Sequence, residues 1–289
     1  MNEELTVELA AKKDRLLEVL RSYGSVAVAF SAGVDSTVVA KAAAVALGER
    51  AVAVTAVSPS LASGELEEAR RLAAQIGIRH LVIRTEEFED PSYRRNAPDR
   101  CYFCKTELYS RLERLLPELG VAVIANGANL DDQGDWRPGM TAAAEHRVRS
   151  PLLEAGLGKA DVRALARHWG LAVWDKPAMP CLASRIAYGL EVTPERVRMI
   201  DEAEAFLKRL GFRELRVRMP QPDVARIEVP LDELPLLVEP AVRDAVVQRF
   251  KAIGFRFVTL DLEGFRSGSL NVLIEQIGGI QHENREADV

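Results

Sequence analysis

Apolar residues in the first twenty positions recur at Leu5, Leu9, Leu16, Leu17 and Leu20 among charged neighbours, the spacing of an amphipathic helix with one buried stripe. Tyr23 and Gly24 break it. The next run, SVAVAF at 25–30, is short, valine-rich and apolar throughout, which predicts a strand covered on both faces. Gly33 and its small neighbours then turn the chain into an alanine-rich helix over roughly 36–47. A strand at 51–57, a helix at 64–76, a strand at 80–85, a Leu- and Glu-rich helix and an apolar run at 121–125 continue the alternation. This order predicts an α/β fold: a doubly wound, mostly parallel sheet whose ligands gather beyond the strand C-termini.

The pattern changes at 174–180 (WDKPAMP), where two prolines exclude a continuous helix and leave Cys181 on a constrained loop. A helix restarts with Thr193 as cap and Pro194 in first position and runs to about Leu210. Two strand-like runs, RELRVRM and VARIEV, flank the turn at Pro220–Pro222. A helix over about 239–253 and a strand at 255–260 complete a smaller α+β domain. The expected boundaries are 1–180 for the first domain, 181–280 for the second and 281–289 for a frayed tail. A length of 289 residues suits two domains of about 150 residues each.

Charge narrows the classes. With 38 basic and 43 acidic residues the net charge is -5, so no global field draws the chain to nucleic acid or an anionic membrane. The opening residues lack an apolar signal region and no apolar run approaches the ~20 residues of a membrane span, which leads to the expectation of a cytoplasmic protein. Three cysteines make an odd number for a disulfide framework, and Cys101 and Cys104 are two residues apart. Metal or sulfur chemistry is the reading that follows.

Ser31-Ala32-Gly33-Val34-Asp35-Ser36-Thr37 lies directly after the first buried strand and before a helix. Small residues and hydroxyls there let backbone approach an anion, and the helix N-terminus adds oriented N–H groups. No lysine follows the glycine turn, so this is not a Walker loop; an ordinary strand-to-helix turn would use the same residues. Asn129, Asp131 and Asp132 follow the fourth strand-like run, placed to reach a nucleotide or magnesium, or to make an Asx turn. Cys101, Cys104 and the distant Cys181 could hold a four-iron four-sulfur cluster with one open iron, or zinc with a histidine. Alternatively, Cys101 and Cys104 are unliganded thiols at a helix start and Cys181 is a buried small residue. The four histidines, His80, His146, His168 and His282, form no short metal motif. Arg216 and Arg218 alternate around Val217, so both could face one pocket and grip phosphate or carboxylate, or both could face solvent. Arg185 near Cys181 is a further anion candidate, and Glu228 is either a functional carboxylate or an exposed strand residue.

The run Ser31-Ala32-Gly33-Val34-Asp35-Ser36 resembles SGGxDS, the fingerprint of the PP-loop ATP pyrophosphatases. Ala32 replaces the first glycine, which strains the loop if φ is positive there. The resemblance makes the first domain a PP-loop domain that cleaves ATP to AMP and pyrophosphate. It assigns Ser31, Gly33, Asp35, Ser36 and Thr37 to pyrophosphate and Mg2+; Asn129 and Asp132, read from their place after the fourth strand-like run, are the further ATP-binding candidates. From Phe30 to Val229 the chain resembles the LarE-type sulfur transferases. The matching landmarks are Arg100-Cys101-Tyr102-Phe103-Cys104-Lys105, Asn126-Gly127-Ala128-Asn129-Leu130-Asp131-Asp132 and Trp136-Arg137-Pro138-Gly139. Arg149-Ser150-Pro151-Leu152, the stretch 176–185, Arg216-Val217-Arg218 and Ala225-Arg226-Ile227-Glu228-Val229 continue them.

This second resemblance implies adenylation of a pyridinium-3,5-biscarboxylic acid mononucleotide and its conversion to a thiocarboxylate for the nickel-pincer nucleotide of lactate racemase. It implies catalytic roles for Cys181, Asp35, Arg216 and Arg218, and substrate contacts from Arg185, Arg216, Arg218 and Glu228. Cys101, Cys104 and Cys181 match the three-cysteine branch, which holds a 4Fe-4S cluster and accepts sulfide or another sulfur source; in another branch the cysteine matching Cys181 gives up its own sulfur. A homo-oligomer is expected by the same resemblance. The chain departs from it at Met219-Pro220-Gln221-Pro222-Asp223, where relatives carry histidine-glycine. Two alternatives remain open: a tRNA thiolase of the wider group, against which the acidic balance counts, and a non-catalytic ATP-binding sensor or scaffold.

Overall fold

A computed structural model describes residues 5–133, 138–177 and 179–266. Trp136, Arg137 and the expected tail at 281–289 lie outside the described residues. In chain order the elements are α1 (Val7–Ser22), β1 (Val26–Ala29), α2 (Val34–Leu47), β2 (Ala51–Val57), α3 (Glu65–Ile76), β3 (Arg79–Arg84), α4 (Pro91–Arg94), α5 (Arg100–Leu119), β4 (Val123–Ala125) and α6 (Pro138–Glu145). They continue as α7 (Pro151–Glu154), α8 (Lys159–His168), α9 (Pro194–Arg209), β5 (Arg216–Arg218), β6 (Val224–Glu228), α10 (Leu234–Val238), α11 (Pro240–Ile253) and β7 (Phe257–Leu260). The chain forms two compact units. Met1–Asp90 with Cys101–Pro180 make the first, and Pro91–Arg100 with Cys181–Val289 make the second. Among the described residues no helix is long and apolar enough to cross a membrane.

In the first unit four parallel strands run in the order β3-β2-β1-β4, with Val26 opposite both Ala51 and Val123. Their residues alternate between two cores, as period-two geometry requires. Val26, Val28, Ala51 and Ala53 pack with α1, α2, α3 and α8. Ala27, Val52, Val54 and Ile124 pack with α5 and α6 on the other face. The sheet is therefore doubly wound, as its apolar strands predict. α1 is capped by Thr6, whose side chain accepts from the Leu9 amide at 3.2 Å. α2 begins at Val34, earlier than its apolar pattern predicts, because Val34, Asp35 and Ser36 add a first turn without adding a stripe. Strand order reverses between β1 and β4, and this switch point is where open parallel sheets bind ligands.

The second unit has a three-stranded sheet, β5-β6-β7, in which β5 is antiparallel and β7 parallel to β6. Thr193 caps α9 by accepting from the Arg196 amide at 3.3 Å, and Pro194 takes the first helical position. Val197, Ile200, Ala203 and Leu207 of α9 and Val246, Phe250 and Ile253 of α11 are buried, as are Val217, Ala225 and Ile227 of the sheet. The turn after β5 holds Asp223 at φ 64, a left-handed conformation.

Candidate active site

The loop after β1 is built for close backbone approach. Ala32, fully buried, has φ 58, so the alanine that stands where the SGGxDS fingerprint has its first glycine falls at a left-handed position that costs a non-glycine residue about 1–2 kcal/mol. Gly33 caps α2 and brings no side chain to its first turn. Hydroxyls tie the loop to the helix. Ser31 Oγ is 3.1 Å from Ser36 Oγ, and Ser36 Oγ and Thr37 Oγ1 donate to the Gly33 carbonyl at 3.1 and 2.8 Å. Ser31, Gly33, Ser36 and Thr37 thus form one knot at a helix N-terminus, where anions are favoured. Thr37 is fully buried and braces the loop from beneath.

The loop after β4 lies directly against this turn. A Cβ at Gly127 would stand 2.8 Å from the Ser36 nitrogen, so only glycine permits the approach. Asn126 Oδ1 accepts from the Ala128 amide at 3.1 Å and from Ser150 Oγ at 2.9 Å, fixing the loop's start. Asn129 then caps a 3-10 turn over Leu130–Asp132. Its Oδ1 accepts from the Asp131 amide and its own amide N–H donates to Asp132 Oδ2, both at 3.0 Å. The Asx-type turn is therefore real for Asp132, but Asn129 does more: its Nδ2 donates to Asp35 Oδ1 at 3.0 Å. The other oxygen of Asp35 is ion-paired with Lys159, the first residue of α8. Lys159 carries no motif and escapes the sequence reading. The signal that could have found it is Gly158-Lys159 opening an amphipathic helix.

Of the cysteines, Cys101 and Cys104 lie one turn apart at the start of α5, on one helical face. Cys101 is exposed and Cys104 half-buried. Cys181, in the second unit, is exposed and caps the 3-10 turn Leu182–Arg185, which corrects the alternative of a buried small residue. None of the three is in a disulfide. Among the described residues no group of three or more His, Cys, Asp or Glu side chains is gathered to hold a metal ion. His80 bonds to Thr55 Oγ1 at 2.9 Å and His146 to Glu113 at 3.0 Å.

The second unit buries its arginines. Arg216 and Arg218 share one face of β5 at 8% and 7% exposure, so the alternative of two solvent-facing residues is overturned. Arg218 Nε donates to Glu228 Oε2 at 3.0 Å, and Arg226 Nη2 to Glu228 Oε1 at 3.0 Å. Glu228 is completely buried between them, not an exposed strand residue. Arg185 donates from Nε and Nη2 to the two oxygens of Glu204 at 3.0 and 3.2 Å, and Glu204 also accepts from the Val217 amide at 3.1 Å. Arg185 Nη1 reaches the Cys181 carbonyl at 3.1 Å, and Arg218 Nη1 the Ser184 carbonyl at 3.1 Å. Arg216 lies 5.0 Å over the Phe265 ring. Burial, and then the charge of Arg185, press its pKa down to about 10, which leaves it charged at neutral pH. Burial lowers Arg218 in the same direction. Crowded, partly desolvated guanidiniums beside an exposed thiol suit an anionic ligand, which would relieve their mutual repulsion.

A doubly wound parallel sheet with a glycine-turned, hydroxyl-rich helix N-terminus at its switch point defines an ATP-binding PP-loop enzyme. Comparison with known proteins agrees: residues 16–106 match the family model described as asparagine synthase. The chain is 46% identical over 263 residues to an uncharacterized protein of Synechocystis sp., covering 91% of this chain and 98% of that relative. It is 39% identical over 264 residues to the pyridinium-3,5-bisthiocarboxylic acid mononucleotide synthase of Lactiplantibacillus plantarum, covering 91% of this chain and 95% of the synthase. A tRNA-specific 2-thiouridylase of Azorhizobium caulinodans is 31% identical over 191 residues, 53% of this chain and 48% of its own length. The chain belongs to the PP-loop ATP pyrophosphatases, and within them to the family that includes the Lactiplantibacillus synthase.

Proposed function

We propose that the protein is an ATP-dependent sulfur transferase that adenylates a carboxylate of pyridinium-3,5-biscarboxylic acid mononucleotide and replaces AMP with sulfur, giving a thiocarboxylate for nickel-pincer nucleotide synthesis. The observation that carries this reading is Cys181. Its exposed thiol sits on a turn whose carbonyl is bonded by buried Arg185, in a unit that also buries Arg216 and Arg218. A carboxylate is a poor acyl donor because its leaving group would be oxide. Attack of its oxygen on the α-phosphorus of ATP expels pyrophosphate and creates a mixed anhydride whose leaving group is AMP. The Ser31–Thr37 loop and the α2 N-terminus receive the pyrophosphate, with Lys159 compensating its charge. Asp35, a carboxylate with lone pairs beyond those used by Asn129 and Lys159, fits a magnesium ligand, and Mg2+ would neutralise phosphate charge there. Arg216 and Arg218, helped by Arg185, hold the substrate's phosphate or second carboxylate.

Cys101, Cys104 and Cys181 suit a 4Fe-4S cluster by the chemistry of the donor set: three soft sulfur donors outside any disulfide. Held by these residues, such a cluster would supply sulfide as the nucleophile for the acyl-adenylate. The exposure of Cys181 also supports a second reading in which it is the donor. Its thiolate attacks the acyl carbon and expels AMP; loss of the Cys181 α-proton then breaks the Cβ–S bond. Thiocarboxylate leaves and dehydroalanine stays in the chain. Anaerobic purification with mass measurement of product and protein separates the two. About four iron and four sulfide per chain, with several product equivalents and intact Cys181, supports the cluster. One equivalent with Cys181 converted supports sacrifice. No substrate-dependent AMP at all overturns the sulfur-transferase reading in favour of a sensor, and retention of tRNA in a gel shift favours a thiolase.

A further inference from the structure

We infer that Asn96 and Arg100 are positioning residues for Cys181, forming a buried amide–guanidinium clamp that fixes the turn displaying its thiol. The inference deepens the proposed function and rests on it for the role of Cys181. Residues 91–100 belong to the second unit, although the chain on either side of them belongs to the first. Asn96 is fully buried. Its Nδ2 donates to the carbonyls of Ala187 at 2.8 Å and Leu190 at 2.9 Å, with Ile186 at 3.3 Å sharing a hydrogen. Its Oδ1 accepts from Arg100 Nη1, which also donates to the Ala183 carbonyl at 3.0 Å. Backbone bonds reinforce the contact: the Gly189 amide donates to the Asn96 carbonyl at 3.0 Å and the Val192 amide to the Arg94 carbonyl at 2.8 Å.

The consequence falls on the turn after Cys181. Carbonyls in a short 3-10 turn and the irregular chain after it lack a ladder of partners, and buried ones must find donors elsewhere. Here buried arginines supply them. Arg185 bonds the carbonyl of Cys181, Arg100 that of Ala183 and Arg218 that of Ser184. With the carbonyls held inward, the Cys181 side chain is left at the surface. Arg185 and Arg218 belong to the anion set described above, whereas Asn96 and Arg100 are assigned no contact with a reactant. Asn96 also takes φ 56, a left-handed conformation that asparagine tolerates better than most residues. A nucleophile or cluster ligand must be held within about 0.5 Å of its productive place, which a turn on unsupported backbone cannot ensure.

The variant Asn96→Gly tests this, because glycine accepts the positive φ and removes only the side chain. Asn96→Asp keeps an acceptor for Arg100 but loses the donors, and Arg100→Lys keeps the charge but cannot bridge two acceptors in one plane. Substrate-dependent AMP formation, thiocarboxylate yield per AMP and the iodoacetamide alkylation rate of Cys181, read by peptide mass, are measured in the full-length protein. For each variant we expect AMP formation within about twofold of wild type, yield per AMP lower by about tenfold or more, and a Cys181 alkylation rate changed severalfold. Wild-type yield per AMP with wild-type alkylation overturns the clamp. So does an equal loss of AMP formation and product, the mark of a merely structural role. If Asn96→Gly does not fold, Arg100→Lys and Asn96→Asp carry the same test. A wild-type protein that makes AMP but no thiocarboxylate overturns the proposed function instead, and alkylation alone then decides the clamp.

Discussion

Lys159, at the start of α8, is ion-paired with Asp35 in the first turn of α2, 124 positions away in the chain. The pair is partly solvated, at 36% and 23% side-chain exposure, so it adds at most about 1 kcal/mol to stability. Its value lies in where it stands. Two helix N-termini, each with partial positive charge, bring a lysine and a carboxylate to the loop that the sequence marks for phosphate. Lys159→Met should therefore leave urea-induced unfolding within about 1 kcal/mol of wild type while lowering substrate-dependent AMP formation by about tenfold or more. Equal AMP formation in the two proteins would remove Lys159 from the site.

Asp35 carries the complementary prediction. Asp35→Asn keeps the size of the side chain and a carbonyl oxygen for Asn129 but loses the charge. AMP formation is expected to fall by about 10²–10³ with far-ultraviolet dichroism unchanged. A folded variant that still makes AMP at the wild-type rate rejects a role for this carboxylate at the reacting phosphates.

Arg185 and Glu204 test the buried charges. Their side chains are 1% and 2% exposed, so neither can recover water if its partner is removed. Arg185→Met should cost about 3–5 kcal/mol by leaving Glu204 unpaired, whereas Arg185→Met with Glu204→Leu should regain much of that loss. Denaturant midpoints of the single and double variants decide the matter. A single variant as stable as wild type would show that the pair is not desolvated in solution.

His80 supplies a dependence on pH. Burial, and then the charge of Arg70, lower its pKa below the usual histidine value. Thr55 Oγ1 donates to the Phe30 carbonyl at 2.9 Å, so the hydroxyl is left to accept from Nε2 of the neutral ring. The folded pKa is the lower one, so the unfolded chain takes up the proton first as pH falls. The His80 contribution is thus complete above about pH 6.5 and is lost between that value and the folded pKa. His80→Asn should show a shallower loss of unfolding free energy between pH 7 and 5 than wild type. Identical slopes would contradict the assignment.

Ala32→Gly sets opposing effects against one another. Glycine removes a left-handed cost of about 1–2 kcal/mol, but loses about 0.8 kcal/mol of buried methyl and 0.5–1 kcal/mol of chain entropy. Thermal unfolding should change by less than the equivalent of about 1 kcal/mol, and AMP formation should be retained. A large loss of either would show that the alanine methyl, fully buried in the core against the sheet, sets the loop's shape.

The strands of the parallel sheet, the Thr193–Pro194 start of α9 and the anion loop after β1 were all legible in the residues, because each depends on local properties. Apolar runs such as VAVA mark burial on both faces, a cap is a matter of neighbouring positions, and a small-residue turn between strand and helix is contiguous. Sequence also placed Arg216 and Arg218 on one side of β5, since strand geometry has period two. It left open which side is buried and what stands opposite. Only the pairing of β5 with β6 brings Glu228 against Arg218, and only the packing of α9 brings Glu204 to Arg185. Lys159 meeting Asp35, residues 91–100 joining the second unit, and the positive φ of Ala32 likewise belong to the tertiary structure. Periodicity records which face an element buries. The identity of a buried charge's partner depends on how distant segments cross, and nothing in the spacing of one segment encodes the other.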